Sequence, residues 1–270
     1  MTLLLEENWD KDRFGNPYPV RTLDVNQDTL SGGSGWESTS YGSFWNWAYN
    51  TSPIEAITAG SQTYPGLVSA GNTLLMYARG DSQHWQRMSR PIYSQNITCD
   101  DRTYWMAFTS ACYQNKNDLS LSLTGISNTS DGSTAILYKN SMSYLSRGVI
   151  YPSVATGVSD TPLWTGDASY TTHLMVYKIE TYKNLGVSQI YSYVDPNLSQ
   201  NPSTWQYTDS NSFIMTTVSS WNFEGGRNSS LIDSPNYFDN FRIATTWYEA
   251  VGLTTDAVNT AWIPFFWYRL

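Results

Sequence analysis

The runs Thr172 to Ile179 (THLMVYKI) and Ser188 to Val194 (SQIYSYV), with the turn signal Asp195-Pro196 that closes the second, decide how this chain reads. Each is a short apolar or alternating segment bounded by turn-forming residues, the pattern of a strand buried on one or both faces. The same pattern recurs at Asn72 to Tyr77 (NTLLMY), Thr103 to Thr109 (TYWMAFT), Leu119 to Leu123 (LSLSL) and Thr134 to Tyr138 (TAILY). It returns at Ser212 to Val218 (SFIMTTV) and Tyr237 to Thr245 (YFDNFRIAT), while helical periodicity is nearly absent. Further turns are expected at Ser130 to Gly132 and at Glu224-Gly225-Gly226, from their glycines. Eight or more short strands predict an all-β chain folded as a β-sandwich or jelly roll of two antiparallel sheets, with function on loops at its rims.

Composition agrees with that class. Of 270 residues only 14% are charged, while 15% are aromatic, with 12 Trp and 20 Tyr. Solubility must therefore rest on Ser, Thr, Asn and Gln, a balance that suits the outside of a cell or particle. The 15 basic and 23 acidic side chains leave a net charge of −8 without clustered Lys or Arg, which argues against nucleic acid and against an anionic membrane surface. The apolar tail Trp262 to Tyr268 is too short to span a bilayer, and Leu3 to Leu5 is too short for a signal-peptide core. Two cysteines, Cys99 and Cys112, allow one bridge at most; free thiols and a bridge between neighbouring strands both stay open.

The order of segments resembles the concanavalin A-like, laminin-G-like jelly rolls of bacterial surface proteins. Leu4-Leu5-Glu6-Glu7-Asn8-Trp9 is similar to that family's opening acidic and aromatic strand, and Gly32-Gly33-Ser34-Gly35-Trp36 to the turn that follows it. Tyr64-Pro65-Gly66-Leu67 and Gly71-Asn72-Thr73-Leu74 resemble its tyrosine-proline loop and the strand entered through Gly-Asn. Leu174 to Ile179, Tyr191 to Pro196 and Phe238 to Trp247 look like three later strands, the last closing the domain. The resemblance implies one jelly-roll domain over residues 1–252. An aromatic extension over 253–270 is left, which either caps a sheet or anchors a neighbouring subunit through Trp262, Phe265, Phe266 and Trp267.

Enzymes of this fold commonly hold a structural calcium between an acidic residue of the opening strand and an aspartate at the start of the closing one, positions matched here by Glu7 and Asp239. Carbohydrate binding is the expectation from fold and composition together. Sugar C–H faces lie on aromatic rings while Asn, Asp and Gln grip hydroxyls, and Tyr41, Trp45, Trp47 and Trp85 sit in polar, loop-like surroundings that suit such platforms. No catalytic residues are assigned. The Glu-x-Asp-x-x-Glu signature of glycosidases of this fold is missing, as are G-x-S-x-G, P-loop and H-E-x-x-H motifs, and His173 on its apolar strand reads as a core histidine. The expected function is a non-catalytic surface module of a larger assembly. That is a phage virion structural protein of capsid-decoration or tail-fibre type with glycan adhesion, on the virion surface or otherwise extracellular. The alternative is a secreted bacterial lectin-like domain, and a glycoside hydrolase or polysaccharide lyase stands further off. Partners would be other assembly subunits, host or environmental glycans and a second copy of the chain.

Overall fold

The computed structural model describes residues 3–10, 33–36, 43–46, 55–60, 62–67, 71–78, 85–93, 96–112, 117–129, 132–142, 148–151, 164–165, 171–198, 209–227 and 234–253. Among these residues fourteen strands are present: β1 (Leu3–Glu7), β2 (Ser43–Asn46), β3 (Glu55–Ala59), β4 (Asn72–Ala78), β5 (Trp85–Pro91), β6 (Thr103–Cys112) and β7 (Asn117–Asn128). They continue with β8 (Thr134–Met142), β9 (Gly148–Tyr151), β10 (Trp164–Thr165), β11 (His173–Tyr182), β12 (Val187–Val194), β13 (Asp209–Arg227) and β14 (Ser234–Ala244). One short helix, α1 (Trp247–Ala250), follows. All eight runs read from the sequence are strands, most of them longer than their apolar cores.

The two layers expected of a jelly roll are there, joined into one hydrogen-bonded ladder in which every pairing is antiparallel. The 19-residue β13 makes the join. Its first half pairs with β12, up to Ile214 opposite Val187; past a register shift between Met215 and Ser220 the strand pairs with β5 instead. Gly125 of β7 lies against this bend with φ +112°, and a Cβ there would stand 2.3 Å from the Thr217 carbonyl oxygen, so only glycine lets the two chains approach. The first layer thus runs β3, β4, β14, β6, β11, β12, with β1 beside β14, and the second runs from β2 and β5 through β13 and β7 to β8, β9 and β10.

Glu224-Gly225-Gly226, expected as a turn, instead lies inside β13. These residues pair with Arg87, Gln86 and Trp85 on one edge and with Ser120, Leu119 and Asp118 on the other. Ladders on both edges outweigh the entropy that glycine loses in a strand. The chain's beginning meets its closing strand as expected, with Leu5, Glu6 and Glu7 opposite Ile243, Arg242 and Phe241.

Between the layers the core is aromatic. Phe223 of one meets Phe238 of the other edge-on at 4.0 Å between centroids, and Trp221 lies 5.4 Å from Phe241. Trp36 stacks on Phe241 and touches Trp221. Into this core runs a charged pair: Arg90 of β5 donates to the Glu7 carboxylate of β1, both side chains are 1% exposed, and the guanidinium lies 4.1 Å from the Trp36 ring centre. The second Glu7 oxygen accepts from the Trp9 amide at 2.8 Å. Burial pushes the Glu7 carboxyl above its usual range and Arg90 opposes that rise. Arg90→Met, which leaves a buried carboxylate unpaired, should cost about 3–5 kcal/mol in urea denaturation at neutral pH. With Arg90 gone the folded carboxyl rises further above its unfolded value, so that loss should shrink as pH falls, and Glu7→Gln with Arg90→Met should restore most of it.

Candidate functional site: the outer face of the first layer

Strand register decides which side chains share the outer face of the first layer. Tyr104, Met106, Tyr177, Ile179, Ile190 and Phe213 face the core, so their neighbours in sequence face out. Pairing of β6 with β11, β11 with β12 and β12 with β13 sorts those neighbours into rows across the strands. One row is Ala107, Val176, Tyr193; the next is Trp105, Lys178, Tyr191; then come Thr103, Glu180, Gln189, Ser212; the last is Tyr182, Val187, Ile214.

Half of this face is covered. Trp105, Ala107, Leu174, Val176 and Tyr193 form a second apolar cluster with Trp247, Ala250 and Val251, joined by Tyr64, Leu67, Leu198 and, at its border, the half-buried Tyr191. Trp105 stacks on Tyr193 at 6.4 Å and meets Trp247 edge-on at 5.8 Å. The helix that carries Trp247 is capped by Thr246, which accepts from the Glu249 amide and donates to the Glu249 carboxylate. The segment 62–67 is pinned at the same end: Asp239 accepts from the Gln62 amide at 2.8 Å, and Asn240, at φ +53° in the bulge of β14, donates to the Gln62 carbonyl. Asp195 accepts from the Leu174 amide at 2.8 Å and meets His173 Nδ1 at 2.5 Å, so one ring nitrogen of the buried histidine faces a carboxylate.

The other half is open, and there the side chains form a polar and aromatic surface. Lys178 lies 5.4 Å from the Tyr191 ring centre and 5.9 Å from that of Trp105, with its ammonium 2.5 Å from Glu180 Oε1. Tyr182 donates to the other Glu180 oxygen at 3.2 Å, and that carboxylate pushes the phenol above its ordinary pKa, keeping it a neutral donor. Ser212 donates to Gln189 Oε1 at 2.6 Å, which leaves the Gln189 amide nitrogen aimed at no acceptor among the described residues. Tyr182 and Ile214, 41% and 39% exposed, give the last row an apolar surface beside the hydrogen-bonding one.

Of the residues read from the sequence, those that the structure describes fall elsewhere. Trp45 lies in β2 opposite Arg87 and Trp85 in β5 opposite Gly226, both at the edge of the second layer rather than on loops. Tyr41, Trp47 and the anchor residues Trp262, Phe265, Phe266 and Trp267 lie outside the described residues, as does His84. Cys99 carries a free thiol 3.6 Å from the Val187 carbonyl oxygen, which excludes a bridge to Cys112. Glu7 and Asp239, the expected calcium ligands, each meet other partners. Glu7 is met by Arg90 and the Trp9 amide, Asp239 by the amides of Gln62 and Asn240, and no group of three or more His, Cys, Asp or Glu converges among the described residues. Arg242 of the closing strand donates to Glu6 of the opening one at 2.8 Å.

No protein-family model and no curated protein matches the chain. Solved structures do. The catalytic domain of a glycoside hydrolase family 131 protein from Coprinopsis cinerea superposes on 92% of this chain and 96% of its own, with TM-score 0.50 and 9% identity. The binding domain of botulinum neurotoxin DC in complex with SialylT covers 89% of this chain and 51% of its own, with TM-score 0.40 and 9% identity. The CBM2 module of the evolved Dit of Lactobacillus casei BL23 phage J-1 covers 74% and 93%, with TM-score 0.33 and 10% identity.

Burial and the Asp195 charge raise the Tyr64 phenol to about 12. A folded value above the unfolded one contributes stability that is whole below about pH 10 and is lost as pH rises toward 12. Melting temperature should therefore fall through that window, and Tyr64→Phe should flatten the fall. The superposition on the Coprinopsis domain places the chain in the jelly-roll β-sandwich fold.

Proposed function

We propose that the chain is a non-catalytic carbohydrate-binding β-sandwich whose binding face is the open half of the first layer, around Tyr191, Lys178, Glu180, Gln189 and Tyr182. One observation carries the reading: the register lines up an aromatic row, a hydrogen-bonding row and an exposed apolar row side by side. Sugars offer matching chemistry, with C–H faces that lie on rings and aliphatic chains and hydroxyls that exchange hydrogen bonds with carboxylates, carboxamides and phenols. Support for binding over hydrolysis comes from Glu180. It is the sole carboxylate on these rows among the described residues, and both its oxygens are held, whereas a retaining glycosidase needs two carboxyl groups about 5 to 5.5 Å apart.

The setting we propose is the surface of a larger assembly, a virion or a bacterial exterior, where a face poor in charge meets glycans. Composition supports it: 14% charged residues and a net charge of −8 suit a Ser-, Thr- and Asn-rich exterior module. A secreted lectin-like domain would use the same face.

Glycan-array screening followed by calorimetry tests the reading. Tyr191→Ala and Gln189→Ala should each weaken binding by about tenfold or more, corresponding to ~1.4 kcal/mol, with thermal unfolding little changed. Tryptophan fluorescence should respond to ligand through Trp105, which Lys178 bridges to Tyr191. Silence of the array together with unchanged fluorescence would end the proposal.

A further inference from the structure

Resting on that reading, we infer that the open face selects neutral glycans and rejects those bearing carboxylates, such as sialylated or uronic acid-containing chains. An anionic sugar needs a cation whose charge is not already matched. Among the described residues of these rows Lys178 is the sole cation, and it is held from three sides, by Glu180 at 2.5 Å and by the rings of Tyr191 and Trp105. Two other described cations stand off the rows. Arg102 precedes β6 and is bound to Asp100 at 3.0 Å, and Lys183 lies in the turn beyond Tyr182.

A ligand carboxylate brought to Lys178 would meet Glu180 as a like charge at close range and would have to part an ion pair already formed. Moved along the face, it would lie on Tyr182, Val187 and Ile214, none of which brings a positive charge to offset lost hydration. A net charge of −8 adds repulsion at long range. Hydroxyls meet none of these obstacles. The Gln189 amide nitrogen is aimed at no described acceptor, and the Glu180 oxygens and Lys178 ammonium keep lone pairs and protons to share with neutral groups.

Specificity therefore turns on Glu180 as a positioning and excluding residue. Replacing it by Gln keeps size and hydrogen-bonding capacity but releases the Lys178 charge. The test is an array and calorimetric comparison of the full chain on neutral oligosaccharides and on the same cores carrying sialic or uronic acid, at low and high ionic strength. Neutral cores should bind at least about tenfold more tightly than their acidic counterparts, with little salt dependence. Glu180→Gln should narrow or invert that ratio, and its binding of acidic glycans should weaken with salt. Preference of the unmodified chain for acidic glycans, or a ratio that Glu180→Gln leaves unmoved, would overturn the inference while leaving carbohydrate binding intact. Failure to bind any glycan, neutral or acidic, would overturn the reading beneath it as well.

Discussion

The register in which β6, β11, β12 and β13 pair is the constraint on which the rest of this structure depends. Side chains alternate along a strand, so a slip of one residue would carry Tyr104, Met106, Tyr177, Ile179, Ile190 and Phe213 out of the core and bring Lys178, Glu180 and Gln189 into it. Burying two charges and a carboxamide while exposing six large apolar side chains would cost far more than the few kcal/mol by which a domain is stable. The outer rows are therefore a by-product of the core. Their chemistry is placed by residues of the core on the opposite face of the same strands.

What makes that face a candidate site is that only part of it is covered. At one end the bulge in β14 turns Asp239 and Asn240 toward the segment 62–67, Asp195 ties the end of β12 to His173 and Leu174, and α1 brings Trp247 down on Trp105. These contacts bury Tyr193, Val176 and Ala107. They end at the row of Trp105 and Tyr191, the boundary between the covered and the open halves. The buried Glu7–Arg90 pair fixes the two layers from the inside, linking the opening strand to β5, so that the closing strand and its bulge keep their place. The Arg90 guanidinium that meets Glu7 also stacks on Trp36, so this buried charge is held by both a carboxylate and a ring.

Much of the fold was legible in the sequence because its signals are local: short apolar runs, period two, and turn residues between them. Where the reading failed, a non-local effect won. Glu224-Gly225-Gly226 carries the marks of a turn, yet two partner strands hold it extended. β2 and β5 have no clear apolar run, and their pairing with each other and with β13 makes strands of Trp45 and Trp85. The site was legible only in part. Ser188 to Val194 was recognisable as a strand, and its alternation already puts Gln189, Tyr191 and Tyr193 on one side; that Lys178 and Trp105 complete the row depends on register across three strands distant in sequence. Looking for large rings in polar loops passed over rings that sit on a sheet.

Nuclear magnetic resonance mapping tests the account's central claim most directly, by following backbone amide shifts of the full chain as a neutral oligosaccharide that it binds is added. The account predicts that perturbed amides cluster at Lys178 to Tyr182, Val187 to Tyr191 and Ser212 to Ile214, with Trp105 at the border. A footprint centred instead on β2 and β5, around Trp45 and Trp85, would contradict it.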